Sequence, residues 1–149
     1  MALFFLEMFM PYAVVWLGAA GLIPFILLPM IGALDWLPLV TSARYFTQYS
    51  AVLLSFFGGI YWWDALSKRD YGVQLYIAML PTLIGWLCLV LAGHPFVLGL
   101  LSLCYLGVLY YDKQCLSLSK EEIVSYIILR MALTTVVVLS HAWMIFLLF

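Results

Sequence analysis

The sequence predicts an all-α fold, a polytopic membrane bundle of about five helices in a single domain covering residues 1–149. Three observations lead there. Apolar residues make up 68% of the chain and charged residues only 9%, against about half and about a quarter in an average globular chain. A chain of 149 residues cannot bury that much apolar surface in its own interior, so lipid must serve as solvent for most of it. The apolar residues also fall into runs close to the ~20 residues that a helix needs to cross hydrocarbon, separated by brief polar joins.

The segment before the first span, MALFFLEMFMP, is apolar but carries Glu7 and no Lys or Arg. A secretory signal opens on basic residues, and a mitochondrial presequence is Arg-rich and poor in acids; neither pattern is present. The segment reads as a stretch along the membrane surface or a lead-in to the first helix. The first span runs from Tyr12 to Leu34 and contains Pro24 and Pro29. Each proline removes a helical hydrogen bond and frees a carbonyl one turn upstream, at Ala20 and Phe25. The second span, Tyr45 to Leu66, contains the run SFFGGIYWWD from Ser55 to Asp64. The third runs from Val73 to Ala92, with Pro81 freeing the carbonyl of Ile77.

The fourth span, Phe96 to Tyr111, is short, and the fifth, Ile123 to Phe149, is long enough to tilt. Ser119 followed by Glu122 fits a capping box, and Glu121 adds negative charge to the first turn. The short joins make consecutive helices antiparallel neighbours. Trp36, Tyr45, Trp62, Trp63, Tyr110, Tyr111 and Trp143 lie near span ends, where aromatic rings mark the membrane interface. Lys68, Arg69, Lys113 and Lys120 fall on one side of the bundle, and only Arg44 on the other. Positive residues stay on the inner side, which predicts a cytoplasmic or matrix N-terminus and a C-terminus on the opposite side.

Small residues gather on helix faces. At 100° per residue, Gln48, Ala51, Ser55, Gly58, Gly59 and Trp62 share one face of the second span. Tyr49, Leu53, Phe56, Ile60 and Trp63 cover the other. Gln74, Ala78, Pro81, Gly85, Cys88 and Ala92 share a face of the third span, and Gly18, Gly21 and Gly32 one of the first. Helices in lipid associate by close packing, which small residues permit, so these faces are read as packing surfaces. The sharper alternative is a narrow path or ligand slot between them.

Arg130 is the most informative ionisable residue, because it lies roughly 15 Å into the last span. A charge at that depth faces the bundle or snorkels to the interface. Arg130, Thr134 and His141 fall on one face and form a sparse polar stripe. Asp112, at the end of the preceding helix, is the first choice of partner for Arg130, and Asp64 is the second. Asp64 also lies four residues before Lys68, the favourable order for a helical ion pair at a membrane boundary. His94 and His141 fall towards the outer side, and Asp35, Arg44 and Gln48 belong to the same side as a small polar cap.

Several function classes find no support. The scattered basic residues offer no nucleic-acid surface. Cys88, Cys104 and Cys115 form neither a CxxC nor a zinc spacing. His94 and His141 suit haem or copper by type, but isolated membrane histidines more commonly make helix–helix hydrogen bonds, so no metal or other cofactor is assigned. Ser55 has no histidine in its pattern, and there is no P-loop or dinucleotide-binding glycine motif. No catalytic residue is assigned.

Four motifs carry a resemblance: GAAGLIPF from Gly18, YSAVLLSFFGGIYWW from Tyr49, LPTLIGWL from Leu80 and LRMALTTVVVLS from Leu129. In this order they resemble the small integral membrane proteins grouped under a domain of unknown function, a family that includes mitochondrial transmembrane protein 69. The resemblance covers about Tyr12 to Ile145 and implies about five membrane helices. Members occur in bacteria and in mitochondria, and no activity or catalytic residue carries over. Asp64 departs from the pattern, which has a small residue there. The chain also lacks the N-terminal extension of a nuclear-encoded mitochondrial member, so a bacterial inner membrane is the expected location and the mitochondrial inner membrane the alternative. The function expected is that of a non-enzymatic accessory, scaffold or assembly subunit of an inner-membrane complex, plausibly respiratory, with partner subunits beside it in the bilayer. The alternatives are a small transporter or channel using the proline-interrupted helices and the Arg130–Thr134–His141 stripe, and, more weakly, a haem- or quinone-associated protein.

Overall fold

The computed structural model describes residues 11–116 and 120–149. The described residues form α1 (Tyr12–Ala20), α2 (Ile23–Ala33), α3 (Leu39–Ser67), α4 (Val73–Val90), α5 (Phe96–Cys115) and α6 (Lys120–Leu148), and no strand is found among them. Segments Tyr12–Ala33, Val73–Val90, Phe96–Gln114 and Lys120–Leu148 are each long and apolar enough to cross a membrane. The fifth long helix, α3, is more polar. It also occupies the middle of the bundle, touching α2, α4, α5 and α6. A helix surrounded by helices can carry Ser, Thr and Gln that would be costly against lipid, because its neighbours supply their hydrogen-bond partners.

The first span is a broken helix rather than a proline-kinked one. The interruption lies at Gly21 and Leu22, ahead of Pro24, where Leu22 N–H bonds to Ala19 O at 3.1 Å in a tightened turn. Pro24 stands in the first turn of α2, where a missing N–H leaves no bond unmade. At the break the Gly21 carbonyl accepts from the Tyr49 hydroxyl at 2.8 Å. Tyr49→Phe is expected to lower stability by about 1 kcal/mol, read as a lower melting temperature in detergent, because the carbonyl loses this donor.

Helix α3 begins at Leu39, earlier than the Tyr45 expected from the apolar run, because docking on α2 rather than contact with lipid sets its start. Ser42 donates to the Leu28 carbonyl. Gly32 lies so close that a Cβ there would stand 2.9 Å from Leu39 Cδ1. Asp35 (φ 56°) and Arg69 (φ 52°) take the left-handed conformation that ends α2 and α3. Each is followed by a bond reaching five residues back, Trp36 N–H to Ile31 O at 3.1 Å and Asp70 N–H to Ala65 O at 3.0 Å. These are the closures that reverse the chain after a helix.

Helix α5 continues past Tyr111 to Cys115, which brings Asp112 inside the helix. Helix α6 begins at Lys120, with Glu121 and Glu122 in its first turn. The segment around Glu7 and the proposed cap Ser119 lie outside the described residues.

The tightest packing joins α3 to α4. A Cβ on Gly58 would stand 2.6 Å from the Ala78 carbonyl oxygen, and one on Gly85 would stand 2.8 Å from that of Ala51 and 2.9 Å from Ser55 Oγ. Ala51, Ser55 and Gly58 thus face Ala78, Pro81 and Gly85 across a close contact of the two backbones. Gly59 does not belong to this surface. It is exposed, and a Cβ there would meet nothing within 4 Å, because the next 100° step carries it off the contact line. Trp62, one turn past Gly58 near the end of α3, is also exposed. Gly18 rests against Leu133 of α6, and a Cβ on Gly21 would meet the Gly18 carbonyl at 3.3 Å.

Candidate functional site

Three helices place polar groups together in the bundle interior. Position 61 of α3 falls one turn past Phe57, on the face turned towards α5, where Tyr61 is buried. Asp112 lies one turn past Val108 on α5, and Arg130 lies on the inner face of α6. The guanidinium and the carboxylate are withdrawn from the surface, at 4% and 1% relative exposure for Arg130 and Asp112. Arg130 Nε donates to Asp112 Oδ2 at 2.8 Å. The Tyr61 hydroxyl lies 2.5 Å from Asp112 Oδ1 and 2.8 Å from the Val108 carbonyl oxygen, and the ionised carboxylate is the stronger acceptor for its proton. Arg130 Cζ stands 3.8 Å from the centroid of the Phe57 ring, a cation–π contact made away from water, where such contacts are strongest.

This constellation is not saturated. Arg130 Nη2, Thr134 Oγ1 and Ser125 Oγ are buried without a hydrogen-bond partner. Arg130 and Thr134 also line a cavity of about 450 Å³ bounded by α1, α3 and α6.

A second polar cluster lies further along α6. His141 Nδ1 is 2.7 Å from the Val137 carbonyl, which can only accept, so the ring proton sits on Nδ1. Nε2 then accepts from Ser50 Oγ at 2.8 Å. Tyr105 donates to the Ser50 carbonyl at 2.6 Å. Phe46 meets the imidazole edge-on at 4.8 Å, and Phe25 lies 5.7 Å away. Both ring nitrogens of His141 are occupied, Nδ1 within α6 and Nε2 in joining α6 to α3.

The sequence profile of the family described as "Protein of unknown function (DUF3429)" matches residues 10–146. The chain belongs to this family. It is also similar to transmembrane protein 69 of Xenopus tropicalis, with 33% identity over 110 residues, covering 68% of this chain and 42% of that protein. The chain thus aligns with less than half the length of this relative. No solved structure matches. This DUF3429 protein is an integral membrane protein by its apolar helices and its family.

The ionisable residues singled out from its sequence separate into distinct places. Arg130 meets Asp112. Asp64 sits apart, with Lys68 Nζ at 2.9 Å and Gln74 Nε2 donating to it at 2.7 Å. It therefore ties the end of α3 to the start of α4. Thr134 lies between the two clusters of α6, and His141 joins Ser50 rather than Arg130. His94 is exposed near Phe96, and it shares with Arg44 a second cavity of about 480 Å³ at the opposite end of the bundle.

Phe57, Tyr61, Ser50 and Tyr105 escape a reading that sorts faces by residue size. Their signal lies in spacing. Ser50, Leu54, Phe57 and Tyr61 recur at helical intervals on α3, and all four are buried. A bulky face of a central helix is core, whereas the same face on an outer helix meets lipid.

Proposed function

We propose that this DUF3429 protein is a non-enzymatic accessory, scaffold or assembly subunit of an inner-membrane complex of the respiratory kind, acting through lateral helix contacts. The observation that carries the reading is the division of labour between its faces. The polar chemistry of the interior is directed largely at its own helices, through Arg130–Asp112–Tyr61, His141–Ser50 and Asp64–Gln74. The outward surface of α3 and α4 carries large side chains, with Phe56, Trp63, Tyr76 and Trp86 each more than 60% exposed. Aromatic side chains of this kind dominate the energetic centres of protein interfaces. On this reading α3 also crosses the bilayer. The end of the bundle holding Lys68, Arg69, Lys113 and Lys120 faces the cytoplasm or the matrix.

Affinity purification of the full chain in mild detergent tests the proposal. The expected result is a stoichiometric set of membrane subunits that is lost when Tyr76 and Trp86 are replaced by alanine. Recovery of a lone monomer, or of the same subunits with both aromatics removed, would overturn it. The transporter alternative would need a polar path along α6. Along that stripe His141 is taken up by Ser50, and the cavity that Arg130 and Thr134 reach is walled mainly by apolar side chains.

A further inference from the structure

The cavity between α1, α3 and α6 contains a request for a ligand that the chain itself leaves unanswered. Its rim carries Leu17 and Phe56, which are exposed on the surface that meets lipid. Its floor carries Arg130 and Thr134, both more than nine-tenths buried. At that depth Arg130 Nη2 and Thr134 Oγ1 have no partner. A buried unpaired donor in hydrocarbon is costly, because no water is at hand to satisfy it.

The chemistry of the missing partner follows from these two atoms. A guanidinium has donors only, and a threonine hydroxyl can donate as well, so the ligand must bring an acceptor. Asp112 already balances the charge of Arg130 at 2.8 Å. An anionic head would therefore add an uncompensated charge to a region of low dielectric, whereas a neutral carbonyl oxygen adds none. The remaining walls are mainly apolar, with Leu22, Leu53, Ile60 and Leu133 beside the rings of Tyr105 and Tyr126. The volume of about 450 Å³ falls within the range of small-molecule sites, about 300–1,000 Å³.

We propose that this cavity binds a lipophilic molecule through an uncharged carbonyl oxygen, which accepts from Arg130 Nη2 and Thr134 Oγ1 while the apolar body enters sideways from the bilayer. Two sources present this chemistry, the ring carbonyl of a prenyl quinone and the ester carbonyl of a glycerolipid. The site is independent of any partner subunit, so it stands or falls separately from the function proposed above.

The test is a thermal-shift titration of the delipidated full chain with decylubiquinone, with dioctanoylglycerol and with dodecanoate as a charged control. A saturable rise in melting temperature with decylubiquinone identifies a quinone site, and one with dioctanoylglycerol a glycerolipid site. Thr134→Val keeps the ion pair and removes one donor, and it should weaken the apparent affinity about tenfold. Leu53→Trp fills the cavity and should abolish the shift, and Ile60→Trp serves the same purpose if the first variant does not fold. The proposal is overturned if neither carbonyl probe binds, if dodecanoate alone binds, or if the cavity-filling variant responds like the parent chain.

Discussion

Asp112→Leu is expected to destabilise the detergent-solubilised protein by about 3–5 kcal/mol, the usual cost of removing one member of a buried ion pair. The carboxylate accepts from both Arg130 Nε at 2.8 Å and Tyr61 at 2.5 Å. Its loss strands a cation that the bundle holds at 4% exposure. Arg130→Leu should act in the same direction by stranding the carboxylate. The double variant Arg130→Met with Asp112→Leu should recover much of the loss, since an apolar pair of similar volume carries no desolvation penalty. Thermal melts followed by size-exclusion chromatography read all three. An unchanged melting temperature in either single variant would show that the pair does not hold α5 to α6.

The second large effect belongs to the α3–α4 contact. Gly58→Ala is expected to cost about 1–3 kcal/mol, because the new methyl would stand 2.6 Å from a backbone oxygen that cannot rotate away. Gly59→Ala, one residue on, should be neutral or stabilising by up to about 1 kcal/mol, since alanine is the better helix former and its Cβ points into open space. The same melts compare the two variants. Equal effects would mean that the helices do not approach as closely as the Ala78 carbonyl indicates.

These two cases also show how far the sequence can be read. Helix number, type and approximate limits follow from the apolar runs, because the ~20-residue requirement of a bilayer leaves few alternatives. The preference of Arg130 for Asp112 was likewise accessible, since consecutive antiparallel helices bring the end of one beside the start of the next. Position around a helix was harder. Gly58 and Gly59 look equivalent as letters, and one 100° step decides which of them touches α4. Tyr61 and Phe57 were hidden because a bulky residue can face lipid or core, and only the central position of α3 settles which. The break at Gly21 was displaced from the prolines that suggested it, because Pro24 stands where a helix can begin.

The pairing of Asp112 with Arg130 has a consequence for biogenesis. The two residues lie on consecutive helices, and each would bring an unpaired charge into the bilayer if it entered alone, at a cost that reaches about 2.5–3.5 kcal/mol at a helix centre and is smaller towards an end, where Asp112 stands. The segment bearing Asp112, Phe96–Gln114, is also the least hydrophobic of the four apolar segments, with a mean hydropathy of 1.3. Released singly from the insertion machinery, it would be the weakest of these four to partition into the bilayer. Delivered together with α6, it arrives with its counter-charge, so the α5–α6 hairpin is the smallest unit of insertion whose opposite charges cancel. The ion pair that closes the finished bundle thus also lowers the cost of placing its last two helices in hydrocarbon when they enter as one hairpin.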